Sequence, residues 1–78
     1  MYINEKLKQD FILLGLRIKK LREKRNLTIE EVSRKTSIRS QYLQKIENGK
    51  AYGVLVIKHL LKIAVLFKIK LSELLDYN

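Results

Sequence analysis

Apolar residues recur at helical spacing through most of the chain, and breakers between the runs are few. In the first run Phe11, Leu14, Ile18 and Leu21 share a face, while Arg17, Lys19, Lys20, Lys24 and Arg25 ring the rest. Gly15 sits inside this run at a cost in helix propensity, which points to close packing there. The helix is expected to end near Arg25, with Asn26 as its left-handed terminator. Thr28-Ile29-Glu30-Glu31 then reads as a capping box: the Thr28 hydroxyl caps an amide and Glu31 reaches back. On the short helix that follows, Ile29, Val32, Ser33 and Thr36 form one face, and Glu30, Glu31, Arg34 and Lys35 the other.

Ser40 to Asn48 predicts a third helix, with Leu43 and Ile46 inward and Asn48-Gly49 as its stop. Val54-Leu55-Val56-Ile57 alone suits a strand, being short and rich in β-branched residues. The apolar pattern runs on through Leu60, Leu61, Ile63, Ala64, Leu66 and Phe67, and that length favours a helix from Val54 to Phe67. A last short helix, Leu71 to Asp76, is expected to bury Leu71, Leu74 and Leu75. The fold class expected is all-α: a compact five-helix bundle formed by residues 11–78, with 1–10 as an N-terminal extension or arm. Ile3 and Leu7 are helix-spaced, so this segment either lengthens the first helix or stands off as an arm bearing Lys6 and Lys8; the pattern leaves both open.

Charge and composition narrow what such a bundle does. The 78 residues hold 17 Lys+Arg against 8 Asp+Glu, a formal net charge of +9, with 46% hydrophobic residues. That is one small domain with one core, too apolar for a disordered basic tail. With no Cys and a single His there is no disulfide framework and no thiolate zinc site, so neither metal nor cofactor is expected. Lys58, His59 and Lys62 interrupt the most apolar stretch, and Met1 to Asp10 has no signal-peptide cleavage site, so a soluble cytoplasmic protein with an anionic partner is expected. An enzyme is not expected. His59 is the only imidazole, Ser33, Ser37, Ser40 and Ser72 lack an evident base, and no Gly-rich phosphate loop occurs.

Two short helices joined by a few residues form the helix-turn-helix pattern, whose second helix enters the DNA major groove. Drawn as a wheel, that second helix gathers Ser40, Gln41, Gln44, Lys45 and Asn48 on one side. All are polar, none is acidic, and each can donate hydrogen bonds. Its only carboxylate, Glu47, falls beside Leu43 on the inward side. Gln pairs with adenine N6/N7 and Lys donates to guanine O6/N7, so the face suits base reading. Any amphipathic helix also has a polar outer face, and the flanking blocks are what turn the balance.

Those blocks are Gly15-Leu16-Arg17-Ile18-Lys19-Lys20-Leu21-Arg22, Leu27-Thr28-Ile29-Glu30-Glu31-Val32-Ser33, Tyr42-Leu43-Gln44-Lys45-Ile46-Glu47-Asn48-Gly49-Lys50, Leu61-Lys62-Ile63-Ala64 and Leu71-Ser72-Glu73-Leu74-Leu75. In this order they resemble the Cro/C1-type (XRE-like) helix-turn-helix family of bacterial and phage regulators. The resemblance implies a five-helix DNA-binding domain and a sequence-specific transcriptional regulator, usually a two-fold symmetric dimer on operator DNA. Carried over by position, it assigns base reading to Arg39, Ser40, Gln41, Gln44 and Lys45, and phosphate contacts to Thr28, Asn48 and Lys50. It places Arg22 and Glu47 at a buried structural ion pair. Helix N-termini are ready anion sites, which gives Thr28 a physical reason as well.

Three departures stand out. Ile29 replaces a phosphate-touching Gln and is expected to pack. Arg39 replaces a Ser/Thr cap, weakening the cap while adding a charge that reaches phosphate. Ser37 replaces the common turn Gly, tolerable if its φ stays negative. The partner expected is double-stranded DNA, with a homodimer built on the last two helices through Leu71, Leu75 and Tyr77, and with Val54 and Val56 as further candidates. The alternative is a protein-interaction adaptor or antitoxin-like module. Thr36-Ser37-Ile38-Arg39 with Tyr42-Leu43 also resembles the helix-turn-helix domain of cell-shape adaptors, which continue into a membrane segment that is not expected here.

Overall fold

Among the described residues five helices follow one another: α1 (Glu5–Lys24), α2 (Ile29–Thr36), α3 (Ser40–Glu47), α4 (Val54–Phe67) and α5 (Leu71–Leu74). The computed structural model describes residues 5–75, Val54 by its backbone alone, and these residues contain no strand. The expected all-α bundle is therefore observed. The β-branched start of α4 stays helical because its apolar residues continue at helical spacing into the core: Val56, Leu60, Ile63, Ala64 and Phe67 are all buried. Residues 5–10 are the opening turns of α1, continuous with the rest of that helix.

The helix ends follow local chemistry. Asn26 takes φ 56 after α1. At α2 the Glu31 amide donates to Thr28 Oγ1 at 3.0 Å, and the Thr28 amide donates to Glu31 Oε1 at 2.9 Å, which completes the capping box. Ser37 departs from expectation, for its φ is 62 rather than negative. A left-handed conformation costs a residue with a side chain roughly 1–2 kcal/mol. Two neighbouring hydroxyls hold the turn around it. Thr36 Oγ1 donates to the Val32 carbonyl at 2.7 Å and accepts from the Ile38 amide at 3.3 Å, and Ser33 Oγ donates to the Ile38 carbonyl. The third helix ends at Glu47, one residue earlier than expected, because the left-handed position falls on Gly49, with φ 70. The last helix ends at Leu74; the expected limit, Asp76, lies outside the described residues.

The core joins Leu14 and Ile18 of α1, Val32 of α2, Leu43 and Ile46 of α3, the inner face of α4, and Leu74 of α5. Fully burying each large aliphatic side chain contributes about 1.5–3 kcal/mol. Val56 belongs to this set with 0% exposure, which corrects its candidacy as a dimer contact: a side chain enclosed by its own core has no surface to offer a second chain.

The tightest approach is between α1 and α3. A Cβ added at Gly15 would collide with the Ile46 carbonyl oxygen and come within 2.9 Å of the Glu47 carbonyl oxygen, so backbone meets backbone here. Two opposed effects therefore act on Gly15→Ala. Helix propensity alone would stabilise the protein by about 1 kcal/mol. Overpacking against an unyielding backbone destabilises by about 1–3 kcal/mol or more. We expect packing to win, seen as a lower urea midpoint; a raised midpoint would show that the helices separate freely at this point.

Candidate nucleic-acid interface

The two faces of α3 separate cleanly. Leu43 and Ile46 are buried at 1% and 2% exposure and Glu47 at 6%, while Gln41, Gln44, Lys45 and Asn48 are exposed and Ser40 is half-buried. The side chains of Arg39, Gln41, Gln44 and Lys45 make no hydrogen bond or ion pair with the described residues. Four of the residues expected to meet DNA thus have donors unengaged among the described residues. Arg39 lies just before α3 and supplies no side-chain cap, as its replacement of Ser/Thr implied.

What keeps this face free of negative charge is the fate of Glu47. Its carboxylate accepts from Arg22 Nε at 2.7 Å and from Arg22 Nη2 at 3.0 Å, a bidentate pair. Arg22 Nη1 donates in addition to the Leu27 carbonyl at 2.7 Å, so the guanidinium ties α1 to α3 and to the loop before α2. The bond from Glu47 holds the Arg22 pKa above its ordinary value, against the opposing effect of burial.

The N-terminus of α2 is less open to anions than its position suggests. Thr28 is exposed, but its amide already meets the Glu31 carboxylate, whose pKa lies below the usual carboxylate range because the Thr28 amide and hydroxyl both bond there. The Thr28 hydroxyl accepts from the Glu31 amide and bonds to the same carboxylate, so a phosphate here competes with Glu31 for the Thr28 donors. Lys50 is exposed just beyond α3, its amide donating to the Lys45 carbonyl at 2.8 Å. Ile29 packs against the core, as its apolar neighbours implied.

Two more cations join Arg22 in internal work, and the linear pattern gave no sign of either. Arg17 Nε donates to the Glu73 carbonyl at 2.9 Å, pinning α5 to α1. Arg25 donates to the carbonyls of Leu21 and Phe67, each at 3.0 Å, with its guanidinium 4.8 Å above the Phe67 ring. Their long-range acceptors are backbone carbonyls 56 and 42 residues away, which carry no residue-type signal. Of the expected dimer contacts, Leu71 is half-buried, Leu75 is 42% exposed, and Tyr77 lies outside the described residues, as does the side chain of Val54.

Residues 15–78 match the family model described as a helix-turn-helix domain. The chain belongs to this helix-turn-helix family. Among solved structures it is similar to the restriction-modification controller protein C.AhdI from Aeromonas hydrophila. The two are 27% identical over 85% of this chain and 97% of the other, with a TM-score of 0.76. No curated protein matches. Family and structural likeness together make the chain a DNA-binding transcriptional regulator of the XRE-like type, in a fold of DNA-binding regulators rather than enzymes. No described helix is long and apolar enough to cross a membrane.

The Arg22–Glu47 pair yields a direct test. Arg22→Met strands a nearly buried carboxylate and should lower stability by about 3–5 kcal/mol. Adding Glu47→Leu removes the stranded charge and should restore most of the loss. Denaturant titration of the three variants measures this double-mutant cycle. Additive losses, or a single-variant loss below about 1 kcal/mol, would mean that the pair behaves as an exposed one.

Proposed function

We propose that this helix-turn-helix protein reads operator DNA as a symmetric homodimer, with α3 in the major groove of each half-site. Gln41, Gln44 and Lys45, with Arg39 and Ser40 at the start of the helix, read base edges. Thr28, Asn48 and Lys50 position the protein on phosphates. The observation that carries this reading is the exposed, acid-free face of α3, whose only carboxylate turns inward to Arg22. The likeness to a restriction-modification controller protein supports regulatory use of that binding, and the place that goes with it is the cytoplasm, in association with the nucleoid.

With Arg17, Arg22 and Arg25 engaged internally, the attraction to phosphate falls to cations such as Arg39, Lys45 and Lys50. Affinity should fall steeply with salt, by about 0.9 in log–log slope for each phosphate neutralised. Lys50→Gln should flatten that slope by about 1 and weaken all duplexes alike. Gln44→Ala should cost about 1–3 kcal/mol of discrimination at one base pair and leave the slope unchanged. Electrophoretic shifts on genomic fragments across a salt series measure both. If no duplex shifts ahead of random competitor, the adaptor reading takes the place of this one.

The homodimer reading gains support from α4. Ile57, Leu61 and Val65 follow one another at helical spacing along its outer surface, 53%, 54% and 78% exposed, and Leu75 of α5 is also exposed. A shallow apolar depression between α1, α4 and α5, about 380 Å³, has Leu7, Phe11, Ile57, Leu71 and Leu75 in its lining. A second copy would cover such a surface and place the two α3 helices about 34 Å apart, one DNA turn. Light scattering at tens of micromolar should report a dimer. Leu61→Asp with Val65→Asp should give a folded monomer with weakened operator binding. A wild-type monomer, or an unaltered dimer in the double variant, would overturn this interface.

A further inference from the structure

One group next to the reading face has no place in the contacts assigned so far. His59 is half-buried on α4, and its ring meets Tyr42 of α3 edge to face, with centroids 5.2 Å apart and planes at 67°. Its Nδ1 atom is enclosed and has no hydrogen-bond partner among the described residues. Because the ring keeps some exposure while Nδ1 has none, Nε2 is the nitrogen available to a ligand. Beside it lies a hollow of about 340 Å³ whose polar lining is Ser37, Arg39, Tyr42 and His59. A second, smaller hollow of about 160 Å³ is bounded by Arg39, Gln41, Tyr42 and Lys45. Arg39 and Tyr42 line both, so the two hollows adjoin at these side chains. Every polar side chain lining them is a hydrogen-bond donor, and none is a carboxylate.

We propose that the hollow formed by Ser37, Arg39, Tyr42 and His59 holds one backbone phosphate of the bound duplex, with His59 donating to it through Nε2 as a neutral imidazole. This assignment rests on the DNA-binding reading of α3 and extends the contact surface to a second element, α4. The neutral state follows from the surroundings. Tyr42 meets the ring, Lys62 and Lys58 are the charges that act on it, and Arg39 lines the same hollow, so its surroundings are neutral or cationic. A second proton would sit on the enclosed Nδ1, which has no acceptor. Burial first, then Lys62 and Lys58, depress the His59 pKa below its ordinary 6.5, so near neutral pH the ring is a donor on one side only. Burial likewise raises the Tyr42 pKa, so its hydroxyl keeps its proton and can donate. Among the described residues Arg39 has no partner, and it supplies the charge that draws the phosphate in.

A ring that merely packs on Tyr42 predicts different behaviour from a ring that donates, and two substitutions separate them. His59→Phe keeps the aromatic contact and removes the donor along with an enclosed, unpaired nitrogen. It should fold at least as stably as the wild type, yet bind operator and non-operator duplexes about tenfold more weakly, with an unchanged salt slope. His59→Gln restores a donor near the Nε2 position and should bind within about threefold of the wild type. Arg39→Gln should weaken binding and flatten the salt slope by about 1. His59→Phe binding like the wild type, or losing affinity for one duplex alone, would overturn the phosphate contact. Nitrogen-15 spectra of the single imidazole provide a check independent of affinity and of whether the Gln variant folds. Duplex DNA should shift Nε2, and inorganic phosphate at equal phosphate concentration should not. An equal shift with phosphate alone would make this a free-anion site and overturn the duplex assignment. Wild-type protein that binds no duplex overturns the DNA reading and this inference with it, whereas a binding wild type with an unaffected His59→Phe overturns this inference alone.

Discussion

The protein depends on how closely α1 and α3 approach. At Gly15 the α1 backbone lies against the carbonyls of Ile46 and Glu47, and only the absence of a side chain permits it. That approach brings Arg22, two turns further along α1, to within 2.7 Å of the Glu47 carboxylate. Arg22 also reaches the Leu27 carbonyl, so one guanidinium fixes α3 against α1 and sets the entry to α2. A helix of eight residues is too short to hold its own shape in water. Here its inner side is clamped by Leu43, Ile46 and Glu47, which holds its outer, polar side in place.

The same contacts sort the basic residues into two populations. Arg17, Arg22 and Arg25 serve the fold, and each donates to at least one backbone carbonyl outside the normal helical pattern. Guanidinium groups suit this work because a planar fork satisfies several acceptors at once, which a lysine ammonium cannot do with the same geometry. The cations near the reading edge, Arg39, Lys45 and Lys50, are exposed. Net charge therefore overstates the attraction to DNA, and the distribution of partners, more than the total of +9, determines the electrostatics of binding.

Much of this was legible in the sequence because it is governed by local rules. The capping box at Thr28 and Glu31, the left-handed Asn26, and the inward set of Leu43, Ile46 and Glu47 follow from spacing and residue chemistry within a turn or two. The resemblance supplied the Arg22–Glu47 pairing across 25 residues, which spacing alone would not. What stayed hidden was set by tertiary contact. Ser37 accepts a positive φ because Ser33 and Thr36 hold the turn with their hydroxyls, and Val56 is enclosed because α4 presents that edge to the core. The carbonyl acceptors of Arg17 and Arg25 were equally invisible, since every residue has a carbonyl.

The apolar pattern of α4 shows where periodicity runs out as a guide. Apolar residues on this helix outnumber the positions its inner face can take, so they spill onto the outer side as Ile57, Leu61 and Val65. A monomer gains nothing by exposing them, and lysines at 58 and 62 border the stripe without covering it. The two unusual features of α4 therefore divide between its faces. The outer stripe calls for an apolar cover, while His59, beside α3, faces donors and cations that call for an anion. A single helix that meets a second protein copy on one side and a phosphate on the other would couple the spacing of the two reading helices to their seating on DNA. The rigid α1–α3 clamp is what would let that coupling reach the bases, because a reading helix free to tilt would absorb the constraint instead of transmitting it.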